Sequence, residues 1–298
     1  MRLATFIHDG RQRLGALDPA SDSVVDLSVA APDLPGDMNA LIALGADGLA
    51  AAQKGVDAAS DDARLVLDAV TLCAPNWPPQ RDPFAVGRNY HEHAQEFHDP
   101  GFDATAGTTA VPDHPIIFTK ATTSVTGPFD PIPAHLDPTN TTDYEGELAV
   151  IIGPGGRGIS KANALDHVYG YTVSNDVTAR TLQHQHKQWT IGKGLDGYCP
   201  KGPAILTADE AGDVRDMRLR TWVNGEERQD AKVADLIFDI PTLIEDLSEG
   251  ITLLPGDVIL TGTPVGVGIG FEPPVFLKSG DVVKITIDPI GSIENEVD

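Results

Sequence analysis

The sequence predicts an α+β fold that is rich in β-strands. Three observations support this class: short runs of β-branched and aromatic residues recur along the chain, turn-forming residues separate them, and helical stretches are few. Strands do not alternate regularly with helices, which argues against a doubly wound sheet or a TIM barrel. With 298 residues, of which 41% are hydrophobic, the chain can form one large domain alone or with a small one.

The first part of the chain predicts a small N-terminal α+β domain. Two strand-like runs, residues 3–8 and 13–18, flank Asp9 and Gly10, a pair typical of a hairpin turn. A stretch rich in alanine and leucine follows at residues 38–58 and predicts helix.

A proline cluster at residues 76–79 marks the predicted domain boundary, because proline lacks a backbone donor and restricts the chain. The predicted division is therefore a small domain over residues 1–75 and a larger domain over residues 76–298.

The larger part predicts mostly strands. The predicted strands are residues 148–152, 170–174, 219–223, 258–261 and 282–287. Asn224 and Gly225 form a second turn signal. Two helices are predicted, one capped by Ser160 and ending near Val168, the other over residues 240–248.

Charge and composition exclude several functions. The formal net charge is -23, which repels phosphate backbones and anionic membrane surfaces, so we expect neither nucleic acid nor membrane as a partner. The N-terminus lacks a signal-peptide pattern, and no stretch approaches the ~20 apolar residues that cross a bilayer. The two cysteines, Cys73 and Cys199, indicate no disulfide framework, and we expect a cytoplasmic protein.

Three acidic residues predict a metal site. Glu145 and Glu147 lie at the start of a predicted strand, where residues two apart face the same side, and Gly146 between them leaves room. Asp176 ends the next predicted strand and can supply a third carboxylate. Oxygen ligands suit magnesium, manganese or calcium. The alternatives are an exposed acidic strand edge for the glutamates and a turn-forming role for Asp176.

His93 and Glu96 predict a general-base pair. On a helical turn, residues three apart face the same way, and a carboxylate beside an imidazole fixes its tautomer. The pair could activate water, or it could be an ordinary surface pair. The zinc-protease pattern is excluded because it requires histidine at position 95, which is Gln95.

Further polar residues suit a ligand site. Arg180 can bind a carboxylate through two hydrogen bonds or form a structural salt bridge. Lys193 lies between two glycines, which suits either ligand binding or a solvated loop. Thr263 follows an apolar strand and offers a hydroxyl group, although an ordinary turn is the alternative.

Three other patterns are set aside. The glycines of residues 266–270 resemble part of a dinucleotide loop, but Pro273 and Pro274 follow soon after, where a helix would have to begin. Residues 153–158 lack the Lys-Ser/Thr of a phosphate loop. A histidine pair at 184 and 186 is more typical of a solvated loop than of a metal site.

Taken in order, these motifs resemble the fumarylacetoacetate hydrolase family. The similarity runs from about Phe84 to the C-terminus. The matching segments are residues 87–90, 93, 96, 118–120, 143–147, 175–180, 192–193, 200–203, 224–226, 255–257 and 261–267. The resemblance implies that residues 76–298 form the catalytic domain, that this domain is a mixed β-sandwich roll, and that the protein is a homodimer.

The resemblance also implies the site residues. It implies Mg²⁺ or Mn²⁺ on Glu145, Glu147 and Asp176, with Ca²⁺ as a substitute in crystals. It implies that His93 and Glu96 activate water, with Lys193 as the third catalytic residue. The candidate substrate-binding residues are Arg88, Lys120, Arg180, Gln183 and Thr263.

The implied activity is hydrolysis of a C–C bond in an acylpyruvate or other 1,3-diketo acid, similar to fumarylpyruvate or fumarylacetoacetate, by metal-enolate chemistry. The small-molecule partner is then a 2-oxo acid. The alternatives are decarboxylation, hydration or isomerisation of a 2-oxo acid in aromatic-compound or sugar-acid catabolism, and, more remotely, a non-catalytic scaffold. Residues 97–113 exceed the length found in shorter members and form either a lid or a loop.

Overall fold

The computed structural model describes residues 1–98 and 111–298 and confirms an α+β fold rich in strands. Its strands are β1 (Arg2–His8), β2 (Arg11–Asp18), β3 (Ser23–Asp26), β4 (Arg64–Val66), β5 (Thr71–Leu72), β6 (Phe84–Gly87), β7 (Ile116–Thr119), β8 (Val125–Thr126), β9 (Thr142–Asp143), β10 (Gly146–Ile152), β11 (Val168–Asn175), β12 (Thr178–Ala179), β13 (Cys199–Thr207), β14 (Arg218–Val223), β15 (Glu226–Lys232), β16 (Val258–Leu260), β17 (Val282–Asp288) and β18 (Gly291–Glu296). Its α-helices are α1 (Leu27–Ala30), α2 (Met38–Ala43), α3 (Gly45–Asp57), α4 (His91–His98), α5 (Arg180–Gln185), α6 (Thr190–Lys193) and α7 (Ile240–Gly250).

One large mixed sheet organises the molecule. Within the described residues it has twelve strands, ten of them in the order β4-β3-β2-β1-β13-β11-β10-β16-β6-β7, with β5 beside β1 and β8 beside β13. Strands β10 and β11 lie in the middle of this sheet, and every residue of both is buried. A second, four-stranded sheet has the order β15-β14-β17-β18.

Both faces of the central strand β10 are covered. Leu148 packs with Leu219 and Ile285 of the four-stranded sheet, which forms one layer of a sandwich. The neighbouring Ala149 belongs to a second cluster with Leu41 of helix α2. Successive side chains of a strand point to opposite faces, so a strand buried on both sides carries a continuous apolar run, as residues 148–152 do.

The N-terminal strands continue the large sheet. Asp9 and Gly10 have φ values of 49° and 69°, as the predicted two-residue hairpin turn between β1 and β2 requires. Strand β1 also pairs antiparallel with β13, through Arg2 opposite Leu206. Hydrogen bonding therefore extends across the proposed boundary near residue 76, and the division into two domains stays a prediction.

Two helix predictions require correction. The stretch 38–58 forms two helices instead of one, because Gly45 begins α3 with a φ of +57°, a left-handed value that interrupts a helix. The segment after Ser160 is a 3₁₀ helix over Lys161–His167, and the Ser160 side chain makes no capping hydrogen bond. The predicted helix over 240–248 is confirmed as α7, with Asp239 as its capping residue. Among the described residues, no helix is long and apolar enough to span a bilayer.

Candidate metal centre and active site

The pairing of two central strands brings the three predicted metal ligands together. Strands β10 and β11 pair antiparallel with Glu147 opposite Ser174, and the Asp176 amide donates to the Glu145 carbonyl oxygen at 2.8 Å. Glu145, Glu147 and Asp176, hereafter the carboxylate triad, each offer an oxygen within 4.8 Å of the others. All three residues are buried, with at most 5% of any exposed.

Gly146 is required for a reason that the sequence prediction missed. A Cβ atom at this position would lie 2.4 Å from Thr221 Oγ1 of strand β14. Because neighbouring residues of a strand face opposite sides, Gly146 faces the second sheet while Glu145 and Glu147 face away from it. The glycine therefore permits close packing of the two sheets and does not create space between the two glutamates.

Three cations surround two members of the triad. Lys193 Nζ lies 2.8 Å from Glu145 Oε2 and 2.7 Å from Asp176 Oδ2. Lys120 Nζ forms an ion pair with Asp176 Oδ1 at 2.6 Å, and Arg180 Nη1 lies 2.6 Å from Glu145 Oε1. Burial raises the pKa of Glu145, but Lys193 and Arg180 outweigh burial and lower it to about 2. Glu145 is therefore a carboxylate at neutral pH.

Glu147 differs from its two neighbours. It accepts a hydrogen bond from the Gly262 amide at 2.6 Å, and it has no ion-pair partner among the described residues. Burial, followed by the charges of Asp176 and Glu145, raises the pKa of Glu147 well above its ordinary value. A cation between the three carboxylates would reverse this effect. The oxygen-only donor set and the uncompensated charge thus fit a hard divalent ion.

Arg180 makes structural ion pairs as well as lining the site. Its Nε atom donates to Asp143 Oδ2 at 2.8 Å, and Nη1 reaches Gln183 Oε1 at 3.4 Å. Burial raises the pKa of Asp143 more than Arg180 lowers it. Arg180 therefore forms the structural salt bridge that was one of its two predicted roles. Its Nη1 atom also contacts the triad residue Glu145.

His93 and Glu96 form the expected pair on helix α4. His93 Nδ1 lies 3.1 Å from Glu96 Oε2. Glu96 also accepts a hydrogen bond from the Gly266 amide at 3.1 Å. His93 is 4% exposed, so the pair lies inside the molecule and not on its surface.

His93 and the triad residue Glu145 line the same small cavity of about 20 Å³. Its lining residues are Val86, Gly87, Arg88, His93, Glu145, Arg180, Gln183, Trp189, Lys193 and Thr263. Seven of the eleven predicted site residues line this cavity. Of the other four, Glu96 contacts the lining residue His93, Glu147 and Asp176 belong to the triad, and Lys120 pairs with Asp176. The fold therefore gathers residues from distant parts of the chain at one place, although their individual roles stay predictions.

Trp189 is the main cavity residue that the sequence prediction missed. Its ring lies against Gly87, where a Cβ atom would come within 2.3 Å of it. Phe118 packs edge-on against the same ring, with centroids 5.1 Å apart. The sequence did offer one indication that Trp189 belongs to the site, because this tryptophan lies four residues before the predicted catalytic residue Lys193. The predicted lid or loop over 97–113 falls mostly outside the described residues, which leave out 99–110.

Comparison with known proteins shows the family. Residues 83–298 match the model of the fumarylacetoacetate hydrolase C-terminal domain. The chain is also 49% identical over 231 residues to the oxaloacetate tautomerase YisK of Bacillus subtilis (strain 168), covering 78% of this chain and 74% of that protein. The chain therefore belongs to the fumarylacetoacetate hydrolase family of enzymes, and the resemblance read from the sequence is confirmed.

Two solved structures support the same conclusion over the whole chain. A fumarylacetoacetate hydrolase from Exiguobacterium antarcticum has a TM-score of 0.85 and 42% identity, with 100% of this chain and 99% of that chain covered. Maleylpyruvate hydrolase from Sphingobium sp. SYK-6, solved with manganese(II) and pyruvate, has a TM-score of 0.77 and 32% identity, covering 100% and 98%. The predicted sandwich fold is thereby confirmed, and a divalent metal is consistent with the buried triad.

Proposed function

We propose that the protein is a divalent-metal-dependent enzyme that interconverts the keto and enol forms of oxaloacetate. The cavity that is lined by His93, by the triad residue Glu145 and by three cationic side chains carries this proposal. Arg88, Arg180 and Lys193 line this cavity, and their positive charges suit a 2-oxo acid that carries two carboxylates. The similarity to a bacterial oxaloacetate tautomerase supports the same substrate.

The metal is proposed to be Mg²⁺ or Mn²⁺ held by Glu145, Glu147 and Asp176. When bound, such an ion supplies Lewis-acid polarisation of the 2-oxo group and orients the substrate. Lys193 lies beside two of these carboxylates and adds a fixed positive charge where negative charge develops on the substrate oxygen. Arg88 also lines the cavity and suits the distal carboxylate.

His93 is proposed to move the proton. The imidazole removes a proton from C3 of the substrate, and the electron pair of the broken C–H bond forms the C2=C3 double bond of an enolate. The protonated imidazole then gives this proton to the enolate oxygen, which yields the enol form and restores the base. Glu96 beside Nδ1 keeps the ring in one orientation and one tautomer, so that the other ring nitrogen serves as the base.

The second candidate is the C–C bond hydrolysis of an acylpyruvate. The enclosed His93–Glu96 pair favours it, because tautomerisation needs no activated water whereas hydrolysis does. The structural similarity to a maleylpyruvate hydrolase also supports it. In this reaction His93 would deprotonate water, the hydroxide would attack the distal carbonyl carbon, and Lys193 would stabilise the oxyanion. The bond between that carbon and C3 would then break, its electron pair would form the enolate of pyruvate, and the enolate would take up the proton held by His93. Isomerases share this scaffold as well.

The experiment compares both reactions on one preparation. Metal-free protein, and the same protein with Mn²⁺ or Mg²⁺ returned, is assayed for decay of enol-oxaloacetate absorbance and for pyruvate release from maleylpyruvate. We expect metal-dependent acceleration of tautomerisation and little pyruvate release. Metal-dependent pyruvate release without tautomerisation would establish the second candidate instead. Absence of both activities would refute the metal-dependent enolisation itself.

A cytoplasmic location and a homodimeric state remain predictions that accompany this proposal.

A further inference from the structure

The glycine-rich segment 266–270, which the sequence analysis set aside as a dinucleotide loop, lies against the candidate active site. We define the glycine loop as residues 262–270. Its backbone amides donate hydrogen bonds to three acidic side chains: Gly262 to Glu147 at 2.6 Å, Gly266 to Glu96 at 3.1 Å, and Gly268 and Ile269 to the two oxygens of Asp143 at 2.7 and 3.0 Å.

These acidic side chains come from three separate elements of the fold. Glu147 lies on strand β10 and belongs to the triad, Glu96 lies on helix α4 beside His93, and Asp143 ends strand β9. Asp143 in turn pairs with Arg180, which contacts the triad residue Glu145. The glycine loop therefore links the helix that carries the proposed base to the metal-binding strands through backbone hydrogen bonds.

Gly270 leaves room for the Glu96 side chain. A Cβ atom at position 270 would lie 1.8 Å from Glu96 Oε1, 2.3 Å from Cδ and 2.6 Å from Cγ. All three atoms belong to one flexible side chain, and Gly270 does not have a left-handed φ. Alanine at this position is therefore compatible with the backbone, and it displaces Glu96 instead of the loop.

We propose that the glycine loop is a positioning element for catalysis, with Gly270 as its determining residue. The loop holds Glu96 through the Gly266 amide and the space at Gly270, and Glu96 holds the ring of His93 at a fixed distance from the triad. The catalytic effect rests on the function proposed above. The contact between the loop and Glu96 does not, and it is tested separately below.

The first test is Gly270→Ala, with Gly250→Ala as the matched control. Among the described residues outside its own helix and its chain neighbours, no atom lies within 4 Å of a Cβ built at Gly250, and the φ of Gly250 is also outside the left-handed region. We expect Gly270→Ala to lower kcat about 10- to 100-fold, as removal of an orienting partner typically does, with unchanged Mn²⁺ affinity by calorimetry. The control should retain wild-type kcat. Unchanged kcat in Gly270→Ala, or an equal loss in the control, overturns the proposal.

A double-mutant cycle separates positioning of Glu96 from a general structural effect. If Gly270→Ala acts by displacing Glu96, it should have little further effect in a protein that already carries Glu96→Ala. If the two losses of kcat multiply, the alanine disturbs something other than Glu96, and the proposal is wrong.

Amide hydrogen exchange supplies a readout that needs no activity. The Gly266 amide donates to Glu96, whereas the Gly268 amide donates to Asp143. We expect Gly270→Ala to accelerate exchange at Gly266 and to leave exchange at Gly268 unchanged. Equal acceleration at both amides, or at neither, contradicts the proposal. If the wild-type protein catalyses neither reaction, the proposed function fails, but the exchange result still decides the role of the loop.

Discussion

The carboxylate triad and helix α4 are held in place by different means. The triad lies on two central strands whose register is defined by a continuous ladder of hydrogen bonds, and buried lysine and arginine side chains contact two of its members. Helix α4 has eight residues, and His91, Glu92 and Gln95 on its outer side are exposed. Of its inner residues, Glu96 accepts its backbone hydrogen bond from the glycine loop.

This difference teaches how one scaffold can serve several reactions. The sheet register fixes the metal-binding oxygens, because a shift by one residue would turn the glutamates to the other face. The position of His93 depends on a short helix and a loop, which can change without altering the sheet. Named family members include a tautomerase, an isomerase and hydrolases. We therefore expect helix α4 and its contacts, more than the triad, to determine which bond of the substrate is broken to form the enolate.

Glu147→Gln should have the largest effect. It removes the triad carboxylate that has no ion-pair partner among the described residues, while the amide oxygen can still accept from Gly262. We expect Mn²⁺ affinity to fall on the order of 100-fold or more, with the fold retained, by calorimetry and circular dichroism. Glu227→Gln, on the exposed edge strand β15, is the control. Unchanged metal affinity in Glu147→Gln would show that the triad is not the metal site.

His93→Ala should affect turnover and spare the metal. Loss of a general base typically lowers the rate about 10²- to 10⁴-fold. Because His93 contacts Glu96 and is not a member of the triad, Mn²⁺ affinity should change little. His91→Ala, on the exposed side of the same helix, should retain activity. If His93→Ala keeps wild-type kcat, the base lies elsewhere; if it loses metal binding, the two regions are not independent.

The smallest effect concerns pH. Burial and the charges of Asp176 and Glu145 raise the pKa of Glu147, so the folded metal-free protein holds a proton that the unfolded chain releases. Above the raised pKa of Glu147, ionisation of this buried carboxyl destabilises the folded protein by its full amount. As the pH falls from the raised pKa toward the ordinary pKa of 4.5, Glu147 takes up a proton and the lost stability is recovered. Glu145, whose pKa is about 2, loses its own contribution only below that window.

Thermal unfolding of the metal-free protein measures this dependence. The Tm should rise on the order of a few degrees as the pH is lowered through the window, and Glu147→Gln should show a smaller rise. Bound Mn²⁺ should also remove the contribution of Glu147 to this rise in Tm, because a bound cation keeps the carboxylate ionised. Identical pH profiles for wild type and Glu147→Gln would mean that Glu147 is ionised without metal.

The candidate site was predicted from the sequence better than its surroundings. Glu145, Glu147 and Asp176 were identifiable because carboxylates at strand ends and at a spacing of two are chemically distinctive. Trp189 and Asp143 were not assigned, because an aromatic residue or an acid far from its partner carries no local signal. The break within the helical stretch 38–58 was not predicted, because the left-handed conformation of Gly45 is only one of several that a glycine adopts readily.

Local chemistry in the sequence was sufficient for the fold class, the hairpin at Asp9 and Gly10, and the residue types of a metal and base site. Only the tertiary structure decided that Arg180 pairs with Asp143 and that Lys193 bridges Glu145 and Asp176. It also decided that the glycine loop contacts Glu96, 170 positions away in the chain. Residue spacing in the sequence determines which side chains share a face of one strand or helix. Distances between side chains of different elements are determined only when those elements pack on the two faces of the central sheet.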